Sequence, residues 1–331
     1  MFKKILITGS EGFIGSHVTE LFVKQGFNVR ALIYYNSFNS YGCFDYVDSN
    51  LKKKINFIFG DVRNYDSVLQ ASKGCDVVIH LAALVGIPYS YITQESYLDT
   101  NVKGTLNVLQ AARQLKTSRI ILTSTSEVYG SAQCIPINES HPINPQSPYA
   151  ASKVAADAFG VSFYKSFNLP VTILRPFNTF GPRQSSRAII PTIINQIVNN
   201  NKILNIGNLY PTRDFTYVED LAKSFLLALR SKNSIGRTLN IGSNFEISIK
   251  DLVSRIIKIT NSNIKIKIDE SRKRAKSSEV DRLYADTKYA RNLIKWNSFN
   301  KNDFNFRLKQ TIDWFKEHKN QLFEGYNKYI V

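Results

Sequence analysis

Three cysteines in 331 residues, Cys43, Cys75 and Cys134, are spaced for neither a metal site nor a disulfide framework. No metal is expected, and the scarcity of cysteine predicts a reducing, cytosolic setting. Long hydrophobic runs are missing too, and no stretch approaches a membrane span. The N-terminal Ile5-Leu6-Ile7 follows two lysines as a signal peptide would, but Gly9 and Glu11 cut it too short for an h-region. Acidic residues are outnumbered, and the net charge is +17. Yet the only dense basic cluster, Arg272-Lys273-Arg274-Ala275-Lys276, has no interleaved aromatics, and no nucleic-acid-binding motif is visible. The charge therefore reads as general lysine richness on an enzyme handling anionic ligands. There is no repeat and no low-complexity linker, so a second domain would have to be interleaved with the first.

What is present is ample core, 43% hydrophobic residues, enough for one large or two modest domains. Strands are predicted at Lys4–Thr8, 27–33, 56–59, 76–82 and Arg119–Thr123. Helices at 16–25, 67–72 and 101–115 alternate with them. That order argues for a parallel sheet covered on both faces. The second half is less regular. Helices are expected at 149–167, 188–199 and 249–259, and strands at 171–174 and Thr238–Ile241.

Gly9-Ser10-Glu11-Gly12-Phe13-Ile14-Gly15 reads G-x-x-G-x-x-G directly between the first strand and the first helix. Glycines there let the backbone turn tightly against a pyrophosphate, and the helix N-terminus favours its charge. The expected acid at the end of the second strand is missing from Leu32-Ile33-Tyr34-Tyr35-Asn36-Ser37, and no arginine pair replaces it. NAD and NADP both stay open. Asp61-Val62, after the third strand, fits either an adenine contact or a helix cap.

Tyr149 and Lys153 stand at i and i+4, on one helix face opened by Pro148. A nearby ammonium favours the phenolate and makes the tyrosine a usable base. Upstream, Ser124-Thr125-Ser126-Glu127 places three hydroxyls and a carboxylate at the end of an apolar strand.

Together these residues resemble the extended short-chain dehydrogenase/reductases, the family of the sugar-nucleotide epimerases and dehydratases. The resemblance runs over nearly the whole chain. It takes in the glycine loop, His80-Leu81-Ala82-Ala83, Asn101-Val102-Lys103-Gly104-Thr105, Val128-Tyr129-Gly130, Tyr149/Lys153, the run 175–183 and the run 213–220. It implies a Rossmann-type doubly wound α/β fold, with residues 1–176 and returning segments near 210–243 binding NAD(P). Residues 177–209 and 244–331 would form a smaller, interleaved sugar-nucleotide domain. It implies a triad of Thr125, Tyr149 and Lys153, and cofactor contacts from Gly9, Glu11, Gly12, Phe13, Ile14, Gly15, Asn36, Asp61, Val62, Leu81, Ala82 and Ala83. Substrate contacts fall on Asn178, Arg187, Arg213 and Arg282. Subunits of this family pack through the helices at 101–115 and 149–167, so a homodimer, or a tetramer built from it, is implied. No nucleic-acid or membrane partner is.

Both branches of the family begin by oxidising the sugar at C4, with Tyr149 taking the hydroxyl proton. An epimerase then needs no further acid or base, and typical 4-epimerases are small or apolar where Glu127 stands. A 4,6-dehydratase needs a base for the C5 proton and a donor for the departing C6 hydroxyl. Thr125-Ser126-Glu127 resembles the T-S-E form of GDP-mannose 4,6-dehydratases, in which Glu127 would serve as both. The runs 177–192 and 280–286 are similar to NAD-dependent dehydratases of legionaminic-acid-type pathways. Those act on a nucleotide-linked N-acetylglucosamine, and the T-S-E form leans toward GDP over UDP. A 4-epimerase or C4 reductase of the same family is the alternative.

Overall fold

In the computed structural model, which describes residues 2–273, 275–298 and 303–319, twelve strands appear in chain order. They are β1 (Lys4–Thr8), β2 (Asn28–Tyr34), β3 (Ile55–Gly60), β4 (Val77–His80), β5 (Arg119–Thr123), β6 (Val171–Pro176), β7 (Asn178–Phe180), β8 (Ile203–Ile206), β9 (Thr212–Tyr217), β10 (Thr238–Ile241), β11 (Glu246–Ser248) and β12 (Lys265–Ile268). Seven form one sheet in the order β10-β6-β5-β4-β1-β2-β3, every pairing parallel. β1 and β4 are buried almost end to end, as strands covered on both faces must be. The strand order reverses between β1 and β4, which opens a crevice at the carboxyl ends of the strands.

One face of this sheet carries the helices Phe13–Lys24 and Val218–Arg230, packed through Val18, Phe22, Leu221 and Phe225. The other carries Tyr65–Ser72, Gly104–Gln114 and Pro148–Phe167. A separate core gathers the helices Ile189–Val198, Ile249–Thr260 and Phe304–Glu317 around β7 and β9, through Phe180, Ile193, Leu252, Phe304 and Leu308. Short sheets, β11-β9-β7 and β12-β8, belong to this second unit.

The packing cuts across the expected boundaries at β9, which joins the smaller unit's sheet and core rather than the large sheet, and again near the C-terminal side. Ala290, Ile294 and Trp296 join the core of the large sheet rather than the smaller unit. The Trp296 indole donates to the Gly242 carbonyl at 3.0 Å, which holds the C-terminal chain against β10. Arg183, with φ 68°, donates to Glu20 and His17 of the first helix and ties the two units beside the crevice.

Candidate active site

The crevice is a cleft of about 1300 Å³, larger than a single drug-sized pocket and roomy enough for two ligands side by side. Its floor is the glycine loop. Gly9 has φ 65°, and a Cβ there would lie 2.5 Å from the Ala82 backbone. A Cβ on Gly15 would lie 2.1 Å from the Gly9 carbonyl oxygen. Gly12 caps the first helix with no side chain on its leading amides, and its bare side faces the cleft. This is the form an anion-binding helix start takes.

Leu81, Ala82 and Ala83 line the next stretch, with Asp61 and Val62 beyond. Glu11 accepts the Tyr34 N–H at 2.9 Å, and burial pushes its carboxyl above the usual value. Asp61 both shapes its turn, accepting the Arg63 N–H at 2.9 Å, and grips the Arg63 guanidinium. Asn36 does not reach the cleft. Its side chain closes the loop after β2 on Phe38 and Ser40, so its expected cofactor contact is replaced by a turn.

The catalytic candidates meet at the middle of the cleft. β5 ends at Thr123, and Thr125 caps a short turn over Ser126–Tyr129 by accepting the Glu127 N–H at 3.2 Å. Thr125, Ser126, Glu127, Tyr149 and Lys153 all line the cavity. Ser147 caps the following helix through the Ala150 N–H at 3.1 Å, with Pro148 at its first turn. That cap fixes the face on which Tyr149 and Lys153 stand. The Glu127 carboxylate has no hydrogen-bond or ion-pair partner among the described residues and stands at the mouth of the catalytic group.

The electrostatics differ from the expected pairing. Burial pushes the Tyr149 phenol above its usual value, the Thr125 hydroxyl works against that, and the Glu127 charge adds to it. Lys153 donates to the Thr123 carbonyl at 2.6 Å, and its ammonium lies buried one helical turn from the phenol. Burial lowers Lys153 itself to about 8, opposed by Asp157.

Beneath these groups lies a buried network that the sequence reading missed. Ser124 donates to Asp157 at 2.8 Å, and Arg175 donates to the same oxygen at 2.9 Å. Arg175 also donates to the Tyr129 hydroxyl, which donates in turn to Asn240, both at 2.8 Å. The available signal was spacing: Asp157 repeats the Tyr149–Lys153 step of four. Tyr97 was missed as well; its ring meets Tyr149 edge-on at 6.2 Å. Asn101 bridges Leu84 and Ser152 from a π turn at Leu98–Lys103.

Farther out, Asn178, Arg187 and Arg213 line the cleft. Arg213 faces Glu279 at 3.4 Å. Arg272 and Lys273, read from the sequence only as part of a dense basic cluster, line it too, while Arg274 lies outside the described residues. Arg282 is withdrawn from the expected set, because Glu246 holds its guanidinium with two contacts, at 2.6 and 2.8 Å, away from the cleft lining. Among the described residues no cluster of His, Cys, Asp and Glu could hold a metal, and no helix is long and apolar enough to cross a membrane.

The family model for GDP-mannose 4,6-dehydratase matches residues 6–304. The chain belongs to that family. It is 36% identical over 278 residues to a dTDP-D-glucose 4,6-dehydratase of Dictyostelium discoideum, covering 78% of this chain but 62% of that protein. It is 31% identical to a putative UDP-glucose 4-epimerase of Methanocaldococcus jannaschii, over 95% of this chain and 99% of the relative. Among solved structures, the UDP-glucuronic acid 4-epimerase of Bacillus cereus, in complex with UDP-glucuronic acid and NAD, superposes with a TM-score of 0.85. It is 30% identical and covers 95% of this chain and 99% of its own. Family membership thus fixes the Rossmann-type fold and the sugar-nucleotide dehydratase/epimerase class, while both branches lie at similar distances.

Proposed function

We propose that this protein is a sugar-nucleotide 4,6-dehydratase converting a nucleotide-linked N-acetylglucosamine, GDP-linked or UDP-linked, to its 4-keto-6-deoxy derivative. The observation that carries the reading is Glu127: a carboxylate with no partner among the described residues, two positions after Thr125, in the cavity that holds Tyr149. Epimerisation at C4 has no use for it.

The glycine loop, Asp61-Val62, Leu81-Ala82-Ala83 and the Tyr149–Lys153 face would hold NAD(P)+, and the loop's uncapped helix start suits its pyrophosphate. When bound, that cofactor supplies an acceptor for the C4 hydride and a donor for its return to C6. Tyr149 takes the C4 hydroxyl proton, steadied by the Thr125 hydroxyl. Glu127 then removes the C5 proton, acidified by the neighbouring ketone. Ser126 cannot act as a strong acid, so Glu127 returns that proton to the departing C6 hydroxyl and water leaves; as the hydride returned to C6, C5 would take a new proton from solvent, and Tyr149 would release the one it took from the C4 hydroxyl. Asn178, Arg187 and Arg213 are assigned to the sugar nucleotide, the arginines to its phosphates. Two subunits would associate through the helices Gly104–Gln114 and Pro148–Phe167 as a homodimer. The setting is cytosolic.

The test is incubation with GDP- and UDP-N-acetylglucosamine followed by mass spectrometry. Loss of water is expected, and an isobaric product would overturn the reading. Glu127→Gln should lower dehydration by about 10²–10⁴-fold, the usual worth of a positioned acid–base group. The second reading, a 4-epimerase, is favoured by the epimerases among the relatives. It requires Glu127→Gln to keep full turnover.

A further inference from the structure

In dinucleotide folds an acid at the end of the second strand holds the adenosine ribose hydroxyls and repels a 2′-phosphate. Here β2 ends Leu32-Ile33-Tyr34, with no acid. Another carboxylate has moved in from a different element. Glu11, in the middle of the glycine loop, reaches across to the last residue of β2, where its Oε1 accepts the Tyr34 N–H at 2.9 Å. Its Oε2 is buried and has no hydrogen-bond partner among the described residues. Glu11 and Tyr34 both line the cleft beside Asp61 and Arg63.

A buried carboxylate oxygen without a donor is costly to keep. A ribose hydroxyl is the kind of donor that would satisfy it, whereas a phosphate brings only acceptors and more negative charge. The one guanidinium beside it does not offset this. Arg63 is held by Asp61 through Nε at 2.9 Å and a terminal nitrogen at 2.6 Å, and that nitrogen also donates to the Tyr34 hydroxyl at 3.1 Å. With Nε and one terminal nitrogen spent on Asp61 and Tyr34, less of the fork is offered to a phosphate. This end of the cleft is therefore lined by two carboxylates, Glu11 and Asp61, and the Arg63 guanidinium, with Lys103 acting on Asp61 from outside the lining.

We infer that Glu11 takes the place of the missing strand-end acid, and that it makes this site bind NAD+ in preference to NADP+. The inference rests on the nicotinamide-cofactor reading above and commits it to one cofactor.

The test is isothermal titration of nucleotide-free protein with NAD+ and with NADP+. Wild type should prefer NAD+ by about 100-fold, the scale of several kcal/mol that a like-charge juxtaposition costs. Glu11→Gln keeps an oxygen for the Tyr34 N–H while removing the charge, and it should cut the preference by about tenfold or more. Arg63→Ala should leave the preference intact or widen it. A wild type that favours NADP+, or a ratio unchanged by Glu11→Gln, overturns the inference. So does a preference that collapses in Arg63→Ala, which would move the determinant to the guanidinium. Failure of both dinucleotides to bind folded wild type would instead remove the cofactor reading itself.

Discussion

The Lys153 ammonium donates to the Thr123 carbonyl across 2.6 Å, two residues before the hydroxyl that faces Tyr149. The lysine thus ties the Pro148–Phe167 helix to the end of β5, the place where the chain leaves the sheet and enters the cleft. A charge used in this way is expensive to bury, and its effect on stability should be measurable.

Burial lowers Lys153 from 10.5 to about 8. Between those values the unfolded chain binds more protons than the folded one, so this group adds stability as pH rises through the window. Below pH 8 its burial is a full penalty. Lys153→Met should therefore raise the melting temperature at pH 7, and the advantage should shrink to nothing by about pH 10.5. Turnover should be lost at every pH. A melting temperature that falls at pH 7 would mean that the Thr123 bond outweighs desolvation.

Asp157 is a positioning residue, holding Ser124 and Arg175 and raising the pKa of Lys153. Asp157→Asn leaves Arg175 a buried cation without its carboxylate, which should cost about 3–5 kcal/mol in urea unfolding. Because the charge that supports the lysine is gone, the alkaline limb of the kcat profile should also move to lower pH. A role limited to packing would lower stability and leave that limb in place.

Gly9→Ala places a methyl at φ 65°, 2.5 Å from the Ala82 backbone. The strain alone costs about 1–3 kcal/mol, and the backbone contact adds to it. Titration with NAD+ should show affinity falling with stability, because β1, β4 and the loop must separate to make room. Gly26→Ala, also at positive φ but with nothing within 4 Å, should cost only the backbone strain and leave affinity unchanged.

His80 lies buried between the hydroxyls of Thr8 and Thr105 at 2.7 and 3.1 Å, and burial lowers its pKa from 6.5 to about 3. The unfolded chain takes up the proton first. The stability this neutral imidazole contributes is complete above pH 6.5 and is lost as pH falls toward 3. His80→Gln should flatten the acid side of the stability curve between those values. An unchanged slope would assign acid unfolding to other groups.

Much of the half built on the large sheet could be read from the chain because its signals are local. Lys4–Thr8 and Arg119–Thr123 are short apolar runs between turns, and the structure keeps both with the expected bounds. The glycine loop, Tyr149, Lys153 and Glu127 were legible for the same reason: each is defined by spacing within a few residues. β9 and the helix Val218–Arg230 went unread. In β9, Arg213 and Asp214 interrupt the apolar pattern because they serve a cleft contact and a buried turn: Asp214 accepts the Ser243 N–H at 2.7 Å. Asn36 and Arg282 lie outside the cleft lining because of partners distant from any motif, the Ser40 turn and Glu246. The Glu11–Tyr34 bond spans 23 residues, and only the folded chain brings its ends together.

β10 closes the sheet beside β6, yet it lies more than sixty residues downstream, and Trp296 clamps it from later still. On a ribosome, β6 would emerge with one edge unpaired and wait for the whole stretch between Pro176 and Thr238 before its neighbour arrived. Contacts that distant slow folding and leave a strand edge open to other chains in the interval. The half built on the large sheet is thus early in sequence but late to finish, and chaperone dependence during synthesis should be set by the segment from Thr238 to Trp296 rather than by the glycine loop.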